Sequence, residues 1–382
     1  MTSFFVFTVL VLIGIAVWQL TKIFDLTQIG GVSAKSEIAT DNDNSVNGYL
    51  MFGFLGFIYI FTIYALYAWG EFVLGTPGSE RGKDVDNLMA ISMVIIFFVQ
   101  TVTQFLLHYF AFKYRGKEGR KALYFADNNK LEAIWTIIPV IVLAGLVMYG
   151  LYTWNSIMFV DEEDKQDAII VELYAKQFGW EARYAGDDKT LGKANVRLIE
   201  GINTLGVDLA DPAAQDDKVV TELHLPVGKK VIFKIRSQDV LHSAYMPHFR
   251  AQMNCVPGMI TQFAFTPSVT TTDMRNDEAI VAKVTKINKI REKKSKELVA
   301  KGAAGLDPYT FDYLLLCNKI CGASHYNMQM KIVVDTPADF KAWLAEKPTL
   351  AAQWKEANAP AAPPVTNEIV VDTTKALAQV IK

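Results

Sequence analysis

Hydrophobic residues are arranged in two regimes along this chain. Before Val160 they form long unbroken runs, Phe4–Leu20, Gly48–Trp69, Leu88–Phe112 and Ala133–Val160. The last three each exceed 20 residues with no Lys, Arg, Asp or Glu, enough to cross a hydrocarbon core as a helix. Trp69, Tyr109, Tyr114, Trp135 and Trp154 stand near their ends, where an aromatic belt would sit. The first run is shorter. It lacks a basic leader and a small-x-small cleavage site, so it reads as a retained helix rather than a signal peptide. The pattern predicts a membrane α-helical N-terminal region of four transmembrane helices, an extra pair within residues 1–80 and a second pair within 81–160.

After Val160 the apolar residues come in short pulses. Ala168–Tyr174, Val219–Leu225, Lys230–Arg236, Met259–Phe265, Phe311–Leu316 and Gln329–Val334 are β-branched or aromatic runs separated by Gly, Pro and Asp turns. This spacing predicts an all-β Greek-key sandwich over residues 161–356. Two segments interrupt it. Gly186–Asp217 is polar, acidic and turn-rich, and reads as a surface loop. Asp277–Lys301 has Ile280, Val284, Ile287 and Leu298 at roughly helical spacing and Gly302 as a stop signal, which predicts a helical insert. A short amphipathic helix is expected at Ala338–Glu346, and an Ala/Pro-rich linker with a C-terminal tail over 357–382.

Charge adds orientation rather than fold. The chain has net charge −2 over 382 residues, so no global polybasic character points to nucleic acid. Locally, Lys113, Arg115, Lys117, Arg120, Lys121 and Lys130 outnumber Glu118, Asp127 and Glu132 between the third and fourth runs. The positive-inside rule puts that loop in the cytoplasm. The fourth helix then exits outward, and everything after Val160 is extracytoplasmic. From Lys283 to Lys301 the insert carries seven Lys and one Arg against two Glu, a run read first as a solvated charged face.

The chemistry is concentrated in one turn between two apolar runs, Cys317-Asn-Lys-Ile-Cys321-Gly-Ala-Ser-His325-Tyr-Asn-Met328. Soft thiolate and thioether ligands select copper or iron–sulfur chemistry, and imidazole suits copper or zinc. His242, in Asp239-Val-Leu-His242-Ser at the expected close of an apolar strand, supplies a further donor. One blue-copper ion needs two His, one Cys and a weak axial Met. The second Cys lets two thiolates bridge two copper ions, with one His on each. Met328 and a backbone carbonyl between the cysteines then complete the shells. Sharing thiolates delocalises an electron over both metals and leaves no open position, so such a centre relays electrons and binds no substrate. The competing readings are a Cys317–Cys321 disulfide in an oxidising compartment and a zinc site, which prefers four Cys/His ligands to a Met. Cys255 reads as a small buried hydrophobe, His108 and His224 as packing or local hydrogen bonding, and Met330 as core. His248 is a second-rank copper candidate.

These residues resemble cytochrome c oxidase subunit II, specifically its binuclear copper domain of cupredoxin fold. The likeness runs from about Asp127 to Glu346. It includes Glu132-Ala-Ile-Trp135-Thr-Ile-Ile-Pro139, Gln177-Phe178-Gly-Trp180, Asp239-Val-Leu-His242-Ser, Val256-Pro257-Gly258 and the ligand loop; the loop alone would also fit nitrous oxide reductase. The resemblance implies two copper ions on His242, Cys317, Cys321, His325, Met328 and the Lys319 carbonyl. It implies a c-type cytochrome donor, soluble or membrane-held, feeding an aromatic residue over the copper. Electrons would pass to subunit I, whose haem and further copper reduce oxygen while protons are pumped; subunit III is a further expected partner, besides membrane lipid. Phe178 occupies a position where many members carry Trp, so Phe178 and Trp180 are both candidates for electron uptake. Glu132 resembles a glutamate at the mouth of a proton pathway; its plainer reading is an acid complementing a helix dipole. The family often has Glu at the Lys319 position, with its carboxylate on magnesium. Lysine keeps the carbonyl but cannot bind magnesium, so that site is withheld.

The first two spans and the insert lie outside the resemblance. The spans read as an interface with another membrane subunit, and the basic insert favours an acidic or membrane-held donor, with Asp208–Asp217 as another docking surface. No CxxCH occurs, so no c-type haem is carried by this chain. Two rivals remain in view. One is a quinol oxidase subunit II without copper, which the full ligand set opposes. The other is a non-redox membrane scaffold with a Cys317–Cys321 disulfide.

Overall fold

The computed structural model describes residues 2–28, 40–70, 73 and 75–359. By their contacts these fall into two units, one of residues up to 73 with 89–146, the other of residues 74–88 with 147 onward. The four apolar runs become helices α1 (Thr2–Gln28), α2 (Asp41–Trp69), α3 (Gly82–Lys113) and α4 (Asn129–Met158), all long and apolar enough to cross a membrane. Each begins before its apolar run, and at α2 and α4 polar residues cap the added turn. Thr40 and Asp43 form a capping box on α2, and Asn128 accepts from Leu131 N–H at the start of α4. Apolar side chains are exposed on most faces of the helices, the pattern of segments whose solvent is lipid. Within the helical unit, the basic loop after α3 is tied to the start of α2: Asp41 accepts from Glu118 N–H at 2.9 Å, and Arg115 donates to Ser45. The helix pair α2 and α3 is therefore antiparallel.

The second unit opens with a short helix α5 (Glu162–Asp167) and continues as β1 (Ile169–Lys176), β2 (Gly179–Tyr184), β3 (Lys218–Val220), β4 (Leu223–Pro226), β5 (Val231–Ser237), β6 (His242–Met246), β7 (Ala251–Cys255) and β8 (Thr261–Phe265). Helices α6 (Thr271–Arg275) and α7 (Glu278–Ala300) intervene before β9 (Tyr313–Cys317) and β10 (Gln329–Asp335); α8 (Pro337–Ala345) and α9 (Leu350–Ala357) close the described chain. Two five-stranded sheets result, ordered β3-β2-β1-β5-β8 and β4-β10-β9-β6-β7. Val171, Leu173, Phe233 and Ile235 of the first sheet meet Ala244, Met246, Tyr313, Leu315 and Ile332 of the second in one core. This is the cupredoxin-like sandwich. Residues 75–81 run across it: Gly78 N–H donates to the His248 carbonyl at 2.7 Å, Ser79 to the Phe249 carbonyl, and Arg250 grips Asp86 at the start of α3.

Several elements depart from the sequence pattern for physical reasons. Val219–Leu225, expected as one strand, is two, because the chain crosses from the first sheet to the second at polar Thr221 and Glu222. Strands β2, β6 and β7 escaped the pattern: Glu181 and Arg183 interrupt β2, while His-Ser-Ala-Tyr-Met and Ala-Gln-Met-Asn-Cys lack β-branched residues. Gly186–Asp217, expected as a surface loop, covers the outer face of the first sheet, where Leu205, Val207 and Ala214 bury against Tyr174 and Leu350. The insert forms as expected: Asp277 caps α7, and Gly302 takes φ +75° just past its end. The segment after it folds back along the helix, with Asn288 bonded both ways to Tyr309. Beyond residue 359 the expected tail lies outside the described residues.

Candidate metal centre

The donors sit where three neighbouring strands end. In β6, β9 and β10 alternate residues face the core, and His242, Cys317 and Met328 continue those inward rows past Ala244, Leu315 and Met330. Because β6 and β10 flank β9, the three side chains converge. His242 opens β6 instead of closing a strand, since Ser237 ends β5 and Asp239 turns the chain by accepting from Val240 N–H.

Cys317 Sγ lies 3.8 Å from His242 Nδ1 and 3.2 Å from the Lys319 carbonyl. Cys321 Sγ lies 3.7 Å from His325 Nδ1 and 3.8 Å from Met328 Sδ. The sulfurs are 3.9 Å apart and both thiols are free. A tetrahedral ion with bonds of about 2.3 Å spaces its sulfur ligands about 3.7 Å apart, so these gaps match ligands shared around a soft ion. Each sulfur has its own imidazole and its own weaker oxygen or thioether neighbour. That is two half-sites meeting along a sulfur–sulfur edge.

The surroundings fix this arrangement. His242 Nε2 donates to Asp239 Oδ1 at 2.8 Å, which turns Nδ1 and its lone pair toward Cys317. Burial alone would raise the Asp239 carboxyl, but hydrogen bonds from His242 and from the backbone of Gln177 and Val240 hold it below the usual range. Burial and the adjacent Cys317 push the Cys321 thiol up to about 11. A bound cation is therefore what would let both sulfurs ionise together at neutral pH.

Trp180 is buried under the site, its Nε1 3.5 Å from the Met328 carbonyl and its ring 6.4 Å from that of His242. Phe178 is 39% exposed and lies against Gly322 of the ligand loop. Gly322 takes φ +144°, and a Cβ there would stand 2.8 Å from Phe178 Cζ, so only glycine fits. Glu132 belongs to the helical unit, in the first turn of α4.

Other sequence candidates fall elsewhere. His248 lies beyond the far end of β6, edge-on to Phe311 and Tyr313; burial and the charges of Lys283 and Arg250 lower it to about 4. Cys255 is fully buried opposite His242, and burial pushes it up to about 12. His224 stacks on Trp343 and bonds Asp335, His108 bonds the Gln104 carbonyl, and Met330 is core, all as read. Roles for Gln177 and Asp239 went unread, although an acid three residues before the candidate His242 was a usable signal.

The family model for cytochrome c oxidase subunit II, transmembrane domain, matches residues 68–153, and that for its periplasmic domain matches residues 170–276. The second match stops just before α7, so the ligand loop lies beyond it. The alternative cytochrome c oxidase subunit 2 of Bradyrhizobium diazoefficiens is 34% identical over 278 residues, covering 72% of this chain and 84% of that protein. The cytochrome c oxidase subunit 2 of Thermostichus vulcanus is 25% identical over 305 residues, 73% of this chain and 80% of that one. Among solved structures, the periplasmic domain of subunit II of cytochrome oxidase of Bradyrhizobium japonicum aligns with 46% of this chain and 91% of that one, at 15% identity and a TM-score of 0.27. With its membrane helices, its periplasmic cupredoxin-like domain and its close relatives together, this chain belongs to the cytochrome c oxidase subunit II family.

Proposed function

We propose that the chain is the electron-accepting subunit II of a proton-pumping cytochrome c oxidase in a bacterial inner membrane. The observation that carries this is the pairing of donors: two free sulfurs 3.9 Å apart, each beside its own imidazole. His242 and the Lys319 carbonyl with Cys317, and His325 and Met328 with Cys321, would hold two copper ions. Bound there, the metal pair would supply a one-electron relay from a c-type cytochrome toward haem in subunit I.

The chain's own residues prepare that task. Asp239 orients His242, and burial of Cys321 and Met328 keeps water from their two sulfurs. A dry, fixed donor set reorganises little when charge changes. Phe178, partly exposed over the ligand loop, is the outer aromatic for electron uptake, with buried Trp180 behind it. Glu132, exposed in the first turn of α4, is the candidate mouth of a proton pathway. Lys319 offers a carbonyl and no carboxylate, so we assign no magnesium site. The organisation proposed is an added helix pair over 1–80, the family hairpin over 81–160, the copper domain over 161–356 and a tail over 357–382.

Metal analysis of the detergent-purified full chain should find two coppers per chain with a near-infrared mixed-valence band. Copper-free protein with Cys317 and Cys321 oxidised to a disulfide would overturn the proposal. Met328 touches only one half-site, and a thioether is a weak donor. Met328→Leu should therefore keep both coppers and shift the potential upward, because loss of an electron donor favours the reduced state. Redox titration against the unsubstituted chain checks the sign.

A further inference from the structure

We infer that Gln177 is a positioning residue that holds both halves of the donor set from the opposite sheet. Gln177 lies in the turn between β1 and β2, in the first sheet, whereas the donors belong to the second sheet and its loops. Its backbone N–H donates to Asp239 Oδ2 at 2.8 Å, and the other oxygen of that carboxylate holds His242 Nε2 at 2.8 Å. Its side-chain amide donates to the Cys321 carbonyl. One residue thus reaches a ligand of each half-site, His242 through Asp239 and Cys321 directly. Gly322 makes the approach possible, since a Cβ there would stand 2.9 Å from Gln177 Nε2.

The two bonds differ in consequence. The backbone bond survives side-chain substitution and keeps Asp239 in place. The amide bond points a positive dipole at the peptide of Cys321, beside a sulfur whose charge must vary between oxidation states. A donor there favours the reduced centre, so removing it lowers the potential. An ordinary hydrogen bond corresponds to about fivefold in an equilibrium constant.

The inference rests on the copper reading above, and the test separates the two. In the full-length chain, Gln177→Ala should keep two coppers while its redox equilibrium with a soluble one-electron mediator moves about fivefold toward the oxidised centre. Gln177→Met keeps most of the side-chain volume, adds no charge and removes the donor to the Cys321 carbonyl. It should shift the same way by a similar factor, with altered copper hyperfine couplings in both variants. If Gln177 served only as packing, the Met variant would titrate like the parent, and that result overturns the inference even if the Ala variant fails to fold. An unsubstituted chain without two coppers sinks the copper reading itself. An unsubstituted chain with two coppers and unshifted variants sinks the Gln177 inference alone.

Discussion

Cys321→Ser is expected to erase the binuclear spectrum. Cys321 Sγ is the hub of the donor set, 3.9 Å from Cys317 Sγ, 3.7 Å from His325 Nδ1 and 3.8 Å from Met328 Sδ. Serine substitutes a harder oxygen whose hydroxyl does not ionise near neutrality, where a soft metal wants a thiolate. The site also loses its shared edge, so His325 and Met328 are left with Cys317, on the far side of that edge, as their one thiolate. Outer-shell changes cost about 10–100-fold in metal affinity; loss of a bridging ligand should exceed that. Metal analysis should find one copper or none, and the near-infrared band should vanish. The fold should persist, because serine nearly matches the volume of Cys321, which lies in the loop after β9 although it is buried against the core. Retention of the binuclear band in the serine variant would show that the ligand assignment is wrong.

The contrast between what the chain announces and what it hides is physical. Long apolar runs have no competing explanation in water, so all four helices were legible. The Cys317–Met328 loop stood out because its sulfur and imidazole groups are close in sequence, and the fold brings them together. His242 could be added because Asp-Val-Leu-His-Ser is distinctive, but its place at the start of β6 could not, since β5 and β6 are separated only by a short Asp239 turn. Strands β2, β6 and β7 were invisible because their residues suit a sheet only in company. Glu181 and Arg183 put charge into β2, and their partners Thr204 and Gly192 come from the 186–217 excursion that folds over them. Gln177 was hidden for the same reason: its two partners lie in other parts of the chain, and nothing local marks a residue that bridges them.

Arg183→Met is the substitution expected to cost most in stability. Arg183 is 2% exposed, and its guanidinium bonds Glu172 at 2.6 Å and Asp217 at 2.7 Å. Arg236 also bonds Glu172, so two cations balance two carboxylates beneath the 186–217 excursion. Methionine keeps much of the volume and none of the charge. Glu172 retains Arg236, but Asp217, 0% exposed, retains only Gly192 N–H. Breaking a buried pair from one side typically costs about 3–5 kcal/mol, and the unfolding midpoint of the outer domain should fall accordingly. The deficit should also depend on pH. Burial already raises Asp217 from 3.8 to about 6 against the pull of Arg183. A carboxyl raised on folding favours the folded state in acid, below its unfolded value, and that contribution is lost as pH rises through its folded value. Without Arg183 the carboxyl rises further, so the variant should recover part of its deficit as pH is lowered from about 7 to about 5. Near-ultraviolet circular dichroism of the full-length chain, followed against denaturant at both pH values, measures the gap. A gap under about 1 kcal/mol, or one that ignores pH, would mean the network is not the buried ion cluster that its geometry describes. Because Glu172 and Arg183 lie on β1 and β2, the strands joined by the Gln177 turn, loosening them should disturb the metal centre before it unfolds the domain.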